Sequence, residues 1–238
     1  MTDQEGPPQS AGARLVRHSR NAKFKRSLGT ASAHQTRQGL LDAAEQVFAA
    51  EGWSGASIRE ITARAGTNVA AVHYHFGGKQ ELLARVLERR AAQLNRARLA
   101  RLELLSGGEL SLEMLVRAFI EPTLELLAEV DGRLVQLHAR AMTEVSGPWS
   151  ELVRGGLFQD VHGAFAAALG GLRPDLPPSQ CFLRLHAMIG ALTHLLLRGD
   201  ALGDGRPPLE PLVVGSPAAE ALTQFLVGGL AAAPATPC

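Results

Sequence analysis

Apolar residues recur at helical spacing along most of the 238-residue chain, and no stretch alternates cleanly between apolar and polar positions. Helical spacing gives an element one apolar face, whereas alternation is typical of a half-buried strand. Clusters of glycine, proline and serine interrupt the pattern and separate the helices. The sequence therefore predicts an all-α fold. The predicted helices cover residues 36–51, 57–65, 68–76, 79–105, 111–130, 134–145, 149–169, 179–198 and 217–231. Within 111–130, Pro122 predicts a kink or a break.

The stretch 57–79, SIREITARAGTNVAAVHYHFGGK, has the pattern of two short helices joined by a tight turn. Ser57 and Glu60 have the spacing of a capping box at the start of the first helix. Gly66 ends that helix, and Asn68 has a side chain that caps the second, which runs to about Phe76. This arrangement predicts a helix-turn-helix whose second helix lies in a DNA major groove. The alternative is two short helices of an ordinary bundle.

The second short helix carries polar groups suited to a DNA backbone. His73, Tyr74 and His75 place three hydrogen-bonding side chains within about one turn. Lys79 begins the next helix, where its ammonium group and the first backbone N–H groups can hold one phosphate together. Small apolar side chains, which suit thymine methyl groups, are expected to face the base edges. These are Val69, Ala70 and Ala71.

Residues 36–83 resemble, without a gap, the DNA-binding domain of bacterial TetR/AcrR-type repressors. The matching positions are Gly52-Trp53, Ala56-Ser57-Ile58, Ile61, Ala65-Gly66, Val72, Tyr74-His75-Phe76, Lys79 and Leu82-Leu83. The resemblance implies that Ser57 and Arg59 contact phosphate or a base edge. It also implies that the second short helix contacts the operator. Two positions depart from the family pattern: Thr67 replaces an apolar residue, and His73 replaces a frequent tyrosine.

Residues 109–231 resemble the ligand-binding and dimerisation half of the same repressors, and in particular the PsrA-like C-terminal domain. The resemblance rests on the stretch LEML at 112–115, on Pro177-Pro178 and on LRLHAMIGA at 183–191. Regulators with that domain are associated with fatty-acid metabolism, and long-chain fatty acids or acyl-CoAs induce some of them. A drug-like or aromatic effector, controlling an efflux or catabolic operon, is the alternative.

Apolar and aromatic side chains with a few polar ones among the middle helices predict a ligand pocket. For any single residue, packing in the core is the competing interpretation. The predicted pocket residues are Phe119, Leu137, His138, Met142, Trp149, Phe158, His162, Phe165, His186 and Met188. The histidines lack the spacing of metal ligands on a helix, so no metal and no other cofactor is expected.

The last two helices are apolar on more than one face, which predicts a two-fold four-helix interface between two copies of the chain. A larger core within one chain is the alternative. A homodimer would present two recognition helices to the half-sites of a palindromic operator. The predicted interface residues are Leu192, Leu195, Leu196, Leu222, Phe225, Leu226 and Leu230.

The formal net charge is only +1, so a nucleic-acid partner must be argued from the distribution of charge. Between Gly6 and Leu41 there is no acidic residue, while arginine and lysine occur seven times. We predict a disordered basic arm over 1–35, which either reaches DNA phosphates or is a solvated tail. The other predicted segments are a DNA-binding domain over 36–83, a helical domain over 84–231 and a tail over 232–238.

The remaining features favour a cytoplasmic regulator over an enzyme or a membrane protein. Cys181 and Cys238 have no metal or redox spacing, which suits a reducing compartment. No signal peptide is recognisable, and no apolar run is expected to span a membrane. There is no nucleophile turn, phosphate loop or close pair of carboxylates, and Cys181 and His186 are wrongly spaced on a helix for a catalytic pair. We therefore predict a ligand-responsive repressor without catalytic residues.

Overall fold

The computed structural model describes residues 12–129, 137–139, 141, 148–198 and 212–234, with side chains from residue 32 onward except those of 127, 129 and 198. These residues form helices and turns, and no strand occurs among them, which confirms the all-α fold. The helices are α1 Gly12–Gly55, α2 Ile58–Arg64, α3 Val69–Phe76, α4 Lys79–Leu105, α5 Leu112–Glu129, α6 Pro148–Arg154, α7 Gln159–Leu172, α8 Pro178–Arg198 and α9 Pro217–Ala231. Residues 137–139 and 141 are also helical.

Helix α1 begins at Gly12, so residues 12–35 of the predicted basic arm are helical in the structure. These residues contain no proline and are rich in alanine, arginine, lysine and leucine, which are strong helix formers. Residues 1–11 of the predicted arm and residues 235–238 of the predicted tail lie outside the described residues. The helix ends its regular course at Gly52, where φ is 68°, as the sequence predicts.

The N-terminal unit packs α1, α2, α3 and the start of α4 around a small apolar core. Phe48, Ile61 and Val72 are fully buried there, one from each of the first three helices. Trp53 lies at the edge of this core, where it is 38% exposed and stacks on Phe48 with 6.2 Å between ring centres. The turn after Gly52 directs the Trp53 ring to the edge of the core rather than into it.

Helix α4 belongs to both halves of the molecule, because it packs on α1 and α3 near its start and on α5, α6 and α7 further along. Two of its arginines form ion pairs with α1. Arg89 pairs with Asp42 and Glu45, and Arg90 also pairs with Glu45. These ion pairs join α4 to α1. The linking helix therefore holds the N-terminal unit through charge as well as through apolar packing.

The structure corrects two helix predictions. The helix expected over 149–169 is two helices, α6 and α7, because the chain turns at Gly155 and Gly156, and Gly156 has φ of 97°. Pro122 does not end α5, which continues through it to Glu129. Of the helix expected over 134–145, only 137–139 and 141 are described.

The prediction that no apolar run is long enough to span a membrane is wrong for helix α8. Among the described residues, Pro178–Leu197 alone has the length and composition that a membrane span needs. A core helix of a water-soluble protein meets the same criterion, so the property is weak support for a span. Cys181, Leu185 and Met188 of α8 are buried within the protein, and Arg184 donates to the carbonyl oxygen of Leu230 in α9 at 3.0 Å.

Candidate nucleic-acid interface and ligand-binding site

The ends of α2 and α3 are fixed by local hydrogen bonds. Ser57 Oγ accepts from the Glu60 N–H at 3.1 Å at the start of α2. The Glu60 carboxylate accepts a bond from Arg64 at 2.8 Å, so only half of the predicted capping box is formed among the described bonds. Asn68 Oδ1 accepts from the Ala71 N–H at 3.1 Å and caps α3 as predicted. Both short helices therefore begin where the sequence indicates.

The turn between α2 and α3 depends on Gly66, which has φ of 63°. The Gly66 N–H donates to Ala63 O at 3.2 Å, and the Thr67 N–H donates to Thr62 O at 2.9 Å. This pair of bonds closes a helix end around a residue in the left-handed region, which glycine adopts without a steric cost. The turn thus fixes the direction in which α3 leaves α2.

Helix α3 presents one exposed face beside a buried one. Val72 is fully buried, whereas Val69 is 38% exposed and Tyr74 is 83% exposed. Ala70 and His73 are also exposed, which leaves Val69, Ala70, His73 and Tyr74 accessible to a groove. Ala71 is half-buried and packs against the core, so its predicted contact with bases is not supported. It lies one position before Val72 and shares the inward side of the helix.

The polar residues at the end of α3 have partners within the unit. His73 Nδ1 lies 3.0 Å from the Gly77 carbonyl oxygen. The half-buried His75 ring meets the Tyr74 ring edge-on, with 4.9 Å between ring centres. Ser57 and Arg59, at the start of α2, are exposed. The structure thus keeps most of the predicted DNA-binding residues at the surface of one small unit.

Lys79 is engaged with Trp53 rather than free. Its Nζ donates to the Trp53 carbonyl oxygen at 2.6 Å and lies 4.4 Å from the centre of the Trp53 ring. Lys79 is the first residue of α4, and Gly78 at the N-cap gives no side-chain hydrogen bond. An ammonium group at a helix N-terminus is suited to phosphate. To bind a DNA phosphate as predicted, the Lys79 ammonium group would have to exchange its contact with Trp53 for the phosphate.

In the C-terminal half, five rings of the predicted pocket form a continuous chain of contacts. His138 meets Trp149 at 5.4 Å between ring centres, and Trp149 meets Phe158 at 6.3 Å. Phe158 stacks on His162 at 5.5 Å, and His162 meets His186 edge-on at 5.0 Å. This chain of rings runs from the segment before α6, through α6 and α7, to α8.

An open cavity of about 820 Å³ lies between α6, α7 and α8. Phe158, His162 and His186 of the predicted pocket line it. A second cavity of about 300 Å³ lies between the two halves, where Trp53 and Leu83 face Leu137 and Trp149. In the structure, five of the predicted pocket residues therefore line two separate cavities rather than one.

Three other predicted pocket residues lie in the core and line neither cavity. Phe119 and Phe165 are buried in the core, with 5.0 Å between ring centres in an edge-on contact. Met188 is a buried core residue of α8 that lines neither of these cavities. Met142 lies outside the described residues. For Phe119, Phe165 and Met188 the competing interpretation, packing in the core, describes their positions.

Arg98 is a buried residue of α4, although its charge favours an exposed position. It is only 6% exposed, and its guanidinium carbon lies 3.8 Å from the centre of the Phe119 ring. Nε donates to the Phe119 carbonyl oxygen at 2.9 Å, and Nη2 donates to Thr123 Oγ1 at 3.0 Å. A signal was present in the sequence, because Arg98 follows Ala91 and Leu94 along the apolar stripe at helical spacing.

Burial shifts the titration of this region. It lowers the pKa of the Arg98 guanidinium to about 9. Burial, with a smaller contribution from the charge of Arg98, lowers the pKa of His138 to about 4. Burial, then the neighbouring His186 and then Arg98, lowers the pKa of His162 to about 4. Both histidines are therefore neutral at pH 7.

The predicted dimer residues divide into buried and exposed sets. Leu192, Leu222, Leu226 and Leu230 are buried within one chain, which contradicts the argument that a single chain cannot bury them. Leu195 and Leu196 are half-buried against the core. Phe225 is 71% exposed. Two residues of α8 that the sequence did not single out, Phe182 and Leu183, are 50% and 66% exposed.

Around Phe225, Phe182 and Leu183 the exposed faces of α8 and α9 are apolar and carry small residues. Gly190, Gly228 and Gly229 lie on these faces, and a Cβ atom added at any of them would meet open space. Small residues let the backbones of packed helices approach closely. Phe182 and Gly190 also line the cavity between α6, α7 and α8, so we define the α8–α9 face by the exposed residues Leu183, Phe225, Gly228 and Gly229.

Within the described part of the chain, no group of three or more histidine, cysteine or acidic side chains is placed to hold a metal ion. Cys181 is a free, buried thiol. Cys238 lies outside the described residues.

Comparison with known proteins identifies relatives of both halves. Residues 40–86 match a family model described as bacterial regulatory proteins, tetR family, and residues 117–229 match one described as tetracyclin repressor-like, C-terminal domain. The HTH-type transcriptional repressor NicS of Pseudomonas putida is 32% identical over 169 residues, which cover 68% of this chain and 76% of that protein. The HTH-type transcriptional regulator SrpR of Pseudomonas putida is 47% identical over 60 residues, 25% of this chain and 28% of that protein.

A solved structure supports the fold at greater distance. The transcriptional regulator FadR from Bacillus subtilis, in complex with stearoyl-CoA, superimposes with a TM-score of 0.54 at 17% identity. The superposition covers 81% of this chain and 98% of that chain. At this identity the likeness is one of fold alone.

Proposed function

We propose, from the premise that the chain belongs to the tetR family of bacterial regulatory proteins, that it is a homodimeric repressor released from a palindromic operator by a hydrophobic small molecule. It is a DNA-binding transcriptional regulator and not an enzyme. The observation that carries the proposal is the exposed face of α3, held by the Gly66 turn and the Asn68 cap next to the start of α4. As a DNA-binding regulator it would act in the bacterial cytoplasm.

The proposed DNA contacts divide into two kinds. Exposed Val69 and Ala70 at the start of α3 would lie against base edges, and Arg59 on α2 would contact a base edge or a phosphate. Ser57, His73, Tyr74, His75 and Lys79 would hold the backbone. Asn68 would remain the cap of α3. Base contacts set sequence preference, whereas backbone contacts set affinity for any sequence.

The proposed dimer forms through the α8–α9 face. Phe225 at 71% exposure and Leu183 at 66% exposure are unfavourable to leave in water, and a second copy would bury both. A two-fold contact between two such faces gives a four-helix interface. Two α3 helices at a fixed separation then match two half-sites of a palindrome.

The proposed effector is a hydrophobic molecule in the C-terminal half. The cavity of about 820 Å³ between α6, α7 and α8 is large enough for a small ligand. The resemblance of 109–231 to the PsrA-like domain supports a fatty acid or an acyl-CoA, and FadR from Bacillus subtilis was solved with stearoyl-CoA. The chain of rings from His138 to His186 favours a second candidate, an aromatic or drug-like compound that controls an efflux or catabolic operon.

Release from DNA is a shift between two conformations. One conformation sets the spacing of the α3 helices for the operator, and the effector favours another. Helix α4 is the element proposed to transmit the change, because Arg89 and Arg90 join it to α1 and its residues Leu83 and Leu87 line the cavity of about 300 Å³. A coupling of about 1–3 kcal/mol would change operator affinity about 5- to 150-fold.

Operator binding measured by fluorescence anisotropy tests this proposal. The DNA is taken from around the protein's own coding region, and the ligands are a long-chain acyl-CoA, the free fatty acid and a panel of aromatic and drug-like compounds. Specific binding that an acyl ligand abolishes is the expected result. Specific binding released only by an aromatic compound would support the second candidate. Absence of specific DNA binding at low salt, with this DNA and with randomised DNA, would contradict the proposal.

A further inference from the structure

Arg98 donates its described hydrogen bonds only to neutral acceptors, the Phe119 carbonyl oxygen and the Thr123 hydroxyl. Three other arginines of α4 are paired with carboxylates. Arg89 and Arg90 pair with Glu45, and Arg101 pairs with Glu121 and Glu125. Within the described residues, Arg98 has no such partner, although it is the most deeply buried of the four.

A buried guanidinium without a counter-ion is unfavourable. Removing a charge from water is offset only where an opposite charge and good hydrogen bonds replace the solvent. The Phe119 ring, 3.8 Å from the guanidinium, and two neutral acceptors offset part of this cost. The neighbouring histidines add no negative charge, since the pKa values of His138 and His162 are lowered to about 4.

Two further polar atoms nearby are buried without a described partner. Asn95 lies one turn before Arg98 on α4, and its Oδ1 accepts no bond, although its Nδ2 donates to the Leu157 carbonyl oxygen at 3.0 Å. The Nε1–H of Trp149 donates no bond either. Buried polar groups in proteins are normally hydrogen-bonded, and unpaired ones mark sites that something else completes.

These groups share one neighbourhood. Trp149, Phe158 and His162 belong to the same chain of ring contacts, and Asn95 binds the residue before Phe158. The Arg98 guanidinium lies over the Phe119 ring, and that ring also meets Phe165 of α7 edge-on, so Arg98 and α7 both pack on Phe119. Phe158 and His162 also line the cavity of about 820 Å³. Asn95 and Trp149 adjoin Phe158, which lines that cavity, although neither they nor Arg98 line it themselves.

We infer that the effector is an anion with an apolar body, a carboxylic acid in its ionised form, whose carboxylate binds the Arg98 guanidinium while its apolar part packs against Trp149 and Phe158. This assignment rests on the proposed function and names the chemical class of its effector. A guanidinium presents parallel N–H donors that match the two oxygens of a carboxylate. The corresponding amide or ester lacks the charge and would bind less tightly.

The test uses matched pairs of ligands that differ only in the acid group. Octanoate and octanamide are the alkyl pair, and 2-naphthoate and 2-naphthamide are the aromatic pair. Trp53 and Trp149 are the two tryptophans of the chain, so Trp53→Phe leaves Trp149 as the single indole reporter. Binding is followed by Trp149 fluorescence, without DNA, in the full-length Trp53→Phe protein.

The expected result is that at least one acid binds about tenfold or more tightly than its amide, as a charge-assisted hydrogen bond requires. Which pair binds distinguishes an alkyl from an aromatic body. Arg98→Gln, added to Trp53→Phe, is expected to remove the preference for the acid. Arg101→Gln is the matched control, because Arg101 lies one turn further along α4 and also bonds to α5, through Glu121 and Glu125. It is expected to keep the preference.

Equal affinity for acid and amide, or no binding of any of the four compounds, would overturn the inference. The comparison of acid with amide is made in the protein that retains Arg98, so it does not depend on the folding of Arg98→Gln. Operator binding is measured in parallel. Specific DNA binding with no preference for acids would overturn this inference and leave the proposed regulator standing, whereas absence of specific DNA binding would remove the proposed function itself.

Discussion

The Lys79 Nζ atom donates to the Trp53 carbonyl oxygen at 2.6 Å and lies over the Trp53 ring. This contact joins the first residue of α4 to the turn that follows Gly52. Trp53 also lines the cavity between the two halves, opposite Leu137 and Trp149. The residue proposed to hold a DNA phosphate is therefore in contact with the residue that faces the C-terminal half. A change in the position of Trp53 within that cavity would therefore act directly on Lys79 at the DNA-binding surface.

Lys79→Ala is expected to weaken binding to all DNA sequences by a similar factor, because a phosphate contact carries no sequence information. The salt dependence of binding is expected to become shallower by about one in log–log slope. The measurement is operator affinity by anisotropy over a range of salt concentrations. Gln80→Ala, at the next and exposed position, is the control and is expected to leave the slope unchanged. A change in the preferred sequence on Lys79→Ala would contradict the assignment.

Changes at Arg59 or Val69 are expected to alter sequence preference rather than general affinity. Both residues are exposed on the helix-turn-helix, and removal of a base contact costs about 1–3 kcal/mol at the affected position. Binding profiles of Arg59→Ala and Val69→Ala on a randomised DNA library measure this. Tyr74→Ala is the comparison, because removing a side chain that holds the DNA backbone should lower the whole profile evenly. If all three variants kept the same sequence preference, the assignment of Arg59 and Val69 to base contacts and of Tyr74 to a backbone contact would be refuted.

Gly66→Ala is expected to destabilise the protein by about 1–2 kcal/mol, because φ of 63° forces an L side chain into the left-handed region. Space does not limit the substitution, since an added Cβ meets no atom within 4 Å. Gly39→Ala is the matched control: its Cβ also meets open space, but it lies inside α1, where alanine is the better helix former. Thermal unfolding should lower the midpoint for the first variant and not for the second.

Folding stability is expected to fall as pH decreases from about 6.5 to about 4. His138 and His162 have folded-state pKa values near 4, below the value of about 6.5 for an unfolded chain, so the unfolded chain binds more protons in that window. Their contribution is complete above pH 6.5 and is lost below it. Urea unfolding at pH 7.5, 6 and 5 measures this, with His138→Phe and His162→Phe expected to flatten the profile. A profile that is unchanged in both variants would contradict the account.

Phe225→Arg is expected to convert the proposed dimer to a monomer, because it places a charge on the α8–α9 face. Sedimentation equilibrium over a range of protein concentrations measures the change. Leu104→Arg is the control, since Leu104 is 83% exposed and lies on α4 rather than on that face. A Phe225→Arg protein that associates as tightly as the unsubstituted chain would place the interface elsewhere.

The helix-turn-helix was predictable because its determinants are local. Ser57, Gly66 and Asn68 each act on residues within a few positions, so the order of residues is enough to place α2 and α3. Helix α4 was likewise predicted to its observed bounds from the periodicity of its apolar residues.

Burial in the C-terminal half was less predictable, because it depends on which elements pack together. Leu192, Leu222 and Leu226 are as apolar as Phe225, but neighbours within the chain cover only the three leucines. Arg98 has the composition of a surface residue and the position of a core residue, and its contacts with Phe119 and Thr123 come from α5. The spacing of Arg98 after Ala91 and Leu94 indicates burial, but the sequence near Arg98 does not specify which residues of α5 it contacts.

The measurement that tests the central claim most directly is selection of binding sites by the full-length protein from randomised double-stranded DNA. The account predicts enrichment of a palindrome whose half-sites are about one helical turn, or a multiple of it, apart, because two α3 helices related by a two-fold axis contact the DNA. Enrichment should disappear when Phe225→Arg abolishes the dimer. No enriched sequence at low salt, or a single site without two-fold symmetry, would contradict the account.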